Sequence, residues 1–185
     1  MKIIGVIADT HFTKCNKLAP DIINFFSDVS MILHAGDIGD KSEFKKLENI
    51  APVVAVMGNK QSDREKYNLR DVEHLTIGPL KIMLVHKTSR KAIQYAEYLI
   101  SKAFKLKSIA LHMQLTRLKD QLHNKVNVCV FGHFHEVVIK KYGNLLILNP
   151  GAAYSTRKRV GSVMKLSIDD NGKIEVLVKY LANQL

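Results

Sequence analysis

A chain of 185 residues with 46% hydrophobic content is long enough to bury one sizeable core and too short to divide easily into two. Its 28 Lys and Arg outnumber 17 Asp and Glu, giving a formal charge of +11, and no apolar run approaches the roughly 20 residues of a membrane-spanning helix. Only Cys15 and Cys129 are present, which excludes a disulfide framework or a CxxC site and fits a reducing, cytoplasmic setting.

The opening run Ile3 to Ala8 has the length of a buried strand, too short for a signal segment with a cleavage site. Leu18 to Val29 follows as a helix, with Pro20 suited to its first turn and Ile22, Ile23, Phe25 and Phe26 on its apolar face. Met31 to His34 is a second strand. Ser42 is placed to cap a helix reaching about Ile50, and Pro52 leads into a third strand, Val53 to Met57. Residues 58–70 are polar and rich in turn formers, hence a loop. Val72 to Ile77 and Leu80 to His86, joined by Gly78-Pro79, form a strand pair.

The segment from Ser89 to His123 carries helical periodicity, with Ala92, Tyr95, Ala96, Leu99 and Ile100 on one stripe and Leu111, Leu115, Leu118 and Leu122 on another. Two helices are expected, breaking somewhere near Leu106 to Ile109. From position 87 to 125 nine Lys or Arg face only Glu97 and Asp120, so most of the excess charge sits here. Such a face draws polyanions or phosphorylated ligands, or is simply a solvated helix surface. Beyond it, Val126 to Phe131, Val137 to Tyr142, Leu145 to Leu148, Ser162 to Ile168 and Ile174 to Leu181 read as strands, with turns at Gly143-Asn144 and Asp169 to Gly172. Alternating strands and helices followed by a β-rich half predict an α/β fold in a single domain over 1–185, with a basic helical insertion at about 88–124.

Polar signatures stand where apolar strands stop: Asp9-Thr10-His11, Gly36-Asp37, Gly58-Asn59, His86, and Gly132-His133-Phe134-His135. In an α/β sheet the carboxyl ends of the strands are where ligands collect. Two Asp, one Asn and four His suit manganese, iron or zinc and suit calcium poorly. The i, i+2 spacing of Asp9 with His11, and of His133 with His135, turns each pair to one side of an extended segment. Gly36, Gly58 and Gly132 allow tight turns beside them.

The ordered series D-x-H, G-D, G-N, H and G-H-x-H, closed by Asn149-Pro150-Gly151, resembles the calcineurin-like metallophosphoesterases, in size most nearly their small prokaryotic phosphodiesterases. That resemblance implies a four-layer α-β-β-α sandwich, two packed mixed β-sheets flanked by helices. It implies two divalent metal ions, manganese foremost and iron, zinc or nickel as alternatives. Asp9, His11 and His135 would hold the first, Asn59, His86 and His133 the second, with Asp37 bridging. Two such cations acidify a bridging water, whose hydroxide attacks phosphorus in line. Asp37, Asn59 and His133 would then serve the reaction directly, and Lys60, Lys87, Arg157 and Arg159 are candidates for the substrate phosphate.

Three departures from the family stand out. Gly58-Asn59 is followed by Lys60-Gln61-Ser62-Asp63, without the His that assists leaving-group protonation in larger relatives, which favours phosphodiesters over protein phosphomonoesters. Lys87 follows His86 where relatives usually carry Gly. Phe134 replaces a small hydroxyl residue. The expected substrate is a small phosphodiester or nucleotide, with homo-oligomerisation through the insertion as a further expectation. Two alternatives remain: a catalytically inactive scaffold, resembling the phosphoesterase-like subunit of the retromer coat, and a nuclease or nucleic-acid-binding phosphoesterase using the basic segment.

Overall fold

The computed structural model describes residues 1–13, 16–59, 66–87, 107–122 and 124–182, without the side chains of 107–110. Strand β1 (Lys2–Ile7) shows how the layers arise. Its apolar residues run without interruption, so both faces must be covered. Ile4 and Val6 point into one buried cluster, while Ile3 and Ile7 point into another. β1 pairs in parallel with β2 (Met31–His34), which pairs in parallel with β3 (Val53–Ala55). On its other side β1 meets β9 (Ser162–Ile168) antiparallel, and β9 pairs with β10 (Ile174–Tyr180). The first sheet therefore runs β10-β9-β1-β2-β3.

The second sheet runs β4-β5-β6-β8-β7. Here β4 (Val72–Ile77) and β5 (Leu80–Val85) form the expected hairpin. β5, β6 (Val128–Val130) and β8 (Leu145–Pro150) lie parallel, and β7 (Val137–Tyr142) returns antiparallel to β8. Between the sheets lies a core of Ile4, Val6, Leu33, Ile82, Leu84, Val130, Leu148 and Met164. Helices α1 (Pro20–Phe25) and α2 (Lys41–Glu48) cover the outer face of the first sheet through Ile22, Phe44 and Leu47. Helix α3 (Lys107–Leu122) covers the second through Leu115 and Leu118. The result is the α-β-β-α sandwich. Cys129 belongs to that outer core, where burial pushes its thiol pKa up and keeps it protonated. Cys15 lies outside the described residues.

Several boundaries differ from the sequence reading. α1 covers only Pro20–Phe25 of the expected Leu18 to Val29. Ser27 and Val29 bond back three residues, to Asn24 and Phe26, tightening the chain so that Phe26 and Val29 drop into the core. Asp40, not Ser42, caps α2, accepting from the Ser42 amide at 2.8 Å and the Glu43 amide at 3.4 Å. The cap must be extended backbone just before the first turn, and Asp40 is the residue that has it. Residues 107–109 are helical at the start of α3, and the stretch expected to form the first basic helix, 88–106, lies outside the described residues, including Leu106, where the expected break begins. No helix among the described residues is long and apolar enough to cross a membrane.

Candidate metal centre

Parallel strands bring their carboxyl ends to one side, and here both sheets do so together. Asp9 and His11 follow β1, Asp37 follows β2, Asn59 lies beyond β3, His86 follows β5, and His133 and His135 lie beyond β6. Donor atoms of Asp9, His11 and His135 all lie within 4.8 Å of one another, as do those of Asp9, Asp37 and His86. Asn59 joins them through its amide, with Nδ2 3.1 Å from Asp37 Oδ2, 3.0 Å from His86 Nε2 and 3.1 Å from His133 Nδ1.

The local backbone corrects one expectation. Asp9, His11, Asp37, His133 and His135 all have positive φ, between 43° and 74°, so the i, i+2 pairs do not lie on extended chain. Left-handed turns aim these side chains inward at a cost of about 1 kcal/mol each. The turns are held by bonds between loops: the Asp9 amide to Gly36 O at 3.0 Å, the His11 amide to Asp37 O at 2.9 Å, and the His133 amide to Asp9 Oδ2 at 2.9 Å.

Gly58 is required for a different reason. A Cβ there would collide with the Asp37 carboxylate and backbone. Gly58→Ala is expected to lower stability by ~1–3 kcal/mol, measured by urea denaturation of metal-free protein, and an unchanged midpoint would show that the two loops do not press together.

Tautomers follow from the hydrogen bonds. His86, 2% exposed, places Nδ1 2.7 Å from the Ala35 carbonyl, which can only accept, so Nδ1 donates and Nε2 keeps its lone pair towards Asp37 Oδ2 at 3.5 Å. Burial alone would raise the Asp37 carboxyl pKa, but His86, the Asn59 amide and His11 outweigh it and hold the carboxyl below the usual range. Burial, foremost, pushes His133 down to about 4, so its ring is neutral near pH 7.

Of the phosphate candidates, two reach the centre. Lys87 Nζ donates to Asn59 Oδ1 at 2.5 Å. Arg159 donates to His135 Nδ1 at 2.7 Å and lies over the Tyr154 ring at 4.7 Å. Arg157 is exposed in the Thr156–Arg159 turn and is not brought in. Lys60 lies outside the described residues, as does the loop carboxylate Asp63. Phe134 packs into the outer core beside Phe131 and stands edge-on to His133.

Sequence reasoning passed over three residues. His34 is fully buried and sits in the framework of the site: its Nδ1 accepts from the Gly36 amide at 3.2 Å and its Nε2 meets Thr10 Oγ1 at 3.0 Å. Thr10 in turn donates to the Ile38 carbonyl at 2.9 Å. Asn149, also fully buried, donates to Gly132 O at 2.8 Å and so holds the loop that carries His133. A polar residue at the end of an apolar strand was the available signal for both His34 and Asn149. Tyr154, whose ring stands edge-on to His11 and His135, had none.

A model of the calcineurin-like phosphoesterase superfamily domain matches residues 1–171. The chain belongs to the calcineurin-like phosphoesterase superfamily. A probable metallophosphoesterase from Methanocaldococcus jannaschii is 33% identical over 172 residues, 91% of this chain and 77% of its own length. A phosphodiesterase from the same archaeon is 26% identical over 161 residues, 80% of this chain and 82% of its own. Among solved structures, Vps29 from Chaetomium thermophilum matches with a TM-score of 0.66 at 19% identity, covering 97% of this chain and 95% of that one. That likeness shows a shared fold.

The residues of this superfamily member fit a divalent cation on structural grounds. Asp9 Oδ1 is buried without a hydrogen-bond partner, a costly state for a carboxylate oxygen. His135 Nε2 stands 3.3 Å from it. Oxygen and imidazole donors together suit first-row transition metals.

Proposed function

We propose that this metallophosphoesterase is a metal-dependent phosphodiesterase in which Asp9, His11 and His135 hold one divalent cation, Asn59, His86 and His133 a second, and Asp37 contacts both. The observation that carries this reading is the position of Asp37, whose Oδ2 lies 3.6 Å from His11 Nε2 and 3.5 Å from His86 Nε2, between the two donor groups. Two divalent cations held there, manganese foremost, would supply charge neutralisation for a phosphate and would acidify a bound water.

The protein's own groups account for binding and selectivity. Arg159 donates to His135 Nδ1, a contact that needs a lone pair on that nitrogen. A cation held at Nε2 would leave the ring proton on Nδ1, and the guanidinium would then be available to a phosphoryl oxygen. The neutral His133 is a poor proton donor near pH 7, which supports diesters with good leaving groups. A cleft of about 240 Å³ is lined by Asn16, Tyr154 and Ser155 among others, and Tyr154 stands edge-on to His11.

The test is hydrolysis of bis(p-nitrophenyl) phosphate and p-nitrophenyl phosphate by chelator-stripped protein, before and after manganese is restored. The expected result is activity only with metal and faster turnover of the diester. Equal rates with and without metal would remove the site from the mechanism. Preference for the monoester would overturn the assignment to diesters.

A further inference from the structure

Among the described residues β10 is an end strand, paired with β9 on one side and with no strand on the other. It is seven residues long and contains neither Pro nor Gly, features that leave a sheet edge able to accept a further strand. The other described sheet ends are guarded. β3 is only three residues long. β4 carries Glu73 without a lysine or arginine, and β7 carries Lys140 and Lys141 without an acid, so two copies of either would meet with a single sign of charge. β10 reads Ile174-Glu175-Val176-Leu177-Val178-Lys179-Tyr180 and is symmetric about Leu177. A valine stands on each side, then an acid opposite a base, then an apolar residue at each end.

The hydrogen bonds to β9 fix which backbone groups remain for a partner. The Asp169 amide donates to Lys173 O and the Leu181 amide to Gly161 O, at the two ends of the register that pairs Ile174 with Ile168 and Tyr180 with Ser162. Bonded pairs alternate in an antiparallel ladder. Glu175, Leu177 and Lys179 therefore turn their amide and carbonyl groups towards β9, while Ile174, Val176, Val178 and Tyr180 turn theirs to the outer edge. A second β10 laid antiparallel with Leu177 facing Leu177 uses that set: Val176 exchanges bonds with Val178, and Ile174 with Tyr180. In the same register Glu175 faces Lys179 twice, in the closer, non-hydrogen-bonded pairs where side chains interact best. The charge pattern and the backbone pattern thus select one register. Glu175 Oε1 accepts from Lys173 at 2.8 Å, and a carboxylate has a second oxygen for the opposing lysine.

We propose that β10 is the interface of a two-fold dimer, in which the edge strands of two copies of this chain pair antiparallel about Leu177 and join their sheets into one. Leu177 and Tyr180, 59% and 58% exposed, are covered by Leu177 and Ile174 of the second copy. Ile174, Val176 and Val178, which only partly pack on the core between the sheets, gain cover along the same seam. The interface is isologous and closes at two copies. β10 runs in the direction of β1, since both lie antiparallel to β9, so its Tyr180 end lies on the side of the candidate metal centre. The two-fold axis reverses that direction in the second copy. The two centres stand at opposite ends of the joined sheet, and neither covers the other.

The experiment is sedimentation velocity across the micromolar range, with circular dichroism to confirm each fold. The natural chain is expected at twice its 20.9 kDa chain mass. Glu175→Lys and Lys179→Glu each set like charges opposite one another, so each variant alone should halve that mass. An equimolar mixture of the two should regain the dimer, because every lysine then faces a glutamate across the seam. Independently of those variants, Leu177→Cys should cross-link as a dimer on mild oxidation, above the background of the natural chain, because facing non-hydrogen-bonded residues lie within disulfide reach. A monomeric natural chain would overturn the proposal. So would a dimer indifferent to both charge reversals, which would place the interface elsewhere, such as the basic segment, and so would folded variants that do not recombine or a Leu177→Cys chain that does not cross-link.

Discussion

Asp37→Ala is expected to lower diester hydrolysis by about a thousandfold or more, ~4 kcal/mol of transition-state stabilisation. The buried Asp37 carboxylate accepts the Asn59 amide at 2.5 Å and the Asn59 side chain at 3.1 Å, and its Oδ2 faces His11 and His86 across the gap between the donor groups. Removing it takes a charge from both proposed cation sites and also frees Asn59 to move. Asp37→Asn separates the two effects. It keeps the shape and an acceptor for Asn59, yet loses the negative charge, so it should lose nearly as much activity while unfolding at close to the natural midpoint. Steady-state rates with saturating manganese, paired with denaturation curves, read both. Full activity in either variant would place the chemistry elsewhere.

The second large effect concerns acid stability and rests on His34. Burial pushes its pKa down from the ordinary 6.5 to about 4, and its two nitrogens are already committed, one accepting from Gly36 and the other bonded to Thr10. Below about pH 6.5 the unfolded chain takes up a proton on this residue while the folded chain does not, so protonation favours unfolding. The stabilisation is complete above pH 6.5 and is lost as pH falls towards 4, amounting to about 3 kcal/mol across that window. His34→Gln retains a donor near Thr10 and cannot titrate. The difference in unfolding free energy between the natural chain and this variant, measured in urea on metal-free protein at pH 7, 5.5 and 4, should shrink or reverse as pH falls. A difference independent of pH would mean that His34 titrates normally.

His34 also shows where sequence reading stops. A histidine at the end of an apolar strand is chemically ambiguous: it can ligate, titrate or fill space. Only the approach of the Asp9-Thr10-His11 loop to β2 turns it into a brace, joined to Thr10 and Gly36 on opposite sides. Asp40 behaves similarly. Its carboxylate had no legible partner, because capping depends on where helix α2 begins, and helix ends are set within a residue or two by tertiary packing.

The sequence by itself carried the α/β pattern, the candidate donors at the strand ends and, through its ordered motifs, the resemblance that implied the sandwich. Strand periodicity, turn residues and the position of Asp, Asn and His at the ends of apolar runs are local properties, and parallel pairing sends such ends to one side. The spacing of β7, β9 and β10 could be read for the same reason, as alternation and turn chemistry are written in neighbouring residues. Tertiary structure alone decided the left-handed turns that aim Asp9, His11, Asp37, His133 and His135 inward, the tautomer of His86, and which cations reach the site. Lys87 and Arg159 arrive at ligand side chains 28 and 24 positions away in the chain, whereas Arg157, only two residues from Arg159, stays outside. Such meetings depend on distances between loops that no local pattern encodes, and they fix where protons and charges stand around the metal ligands.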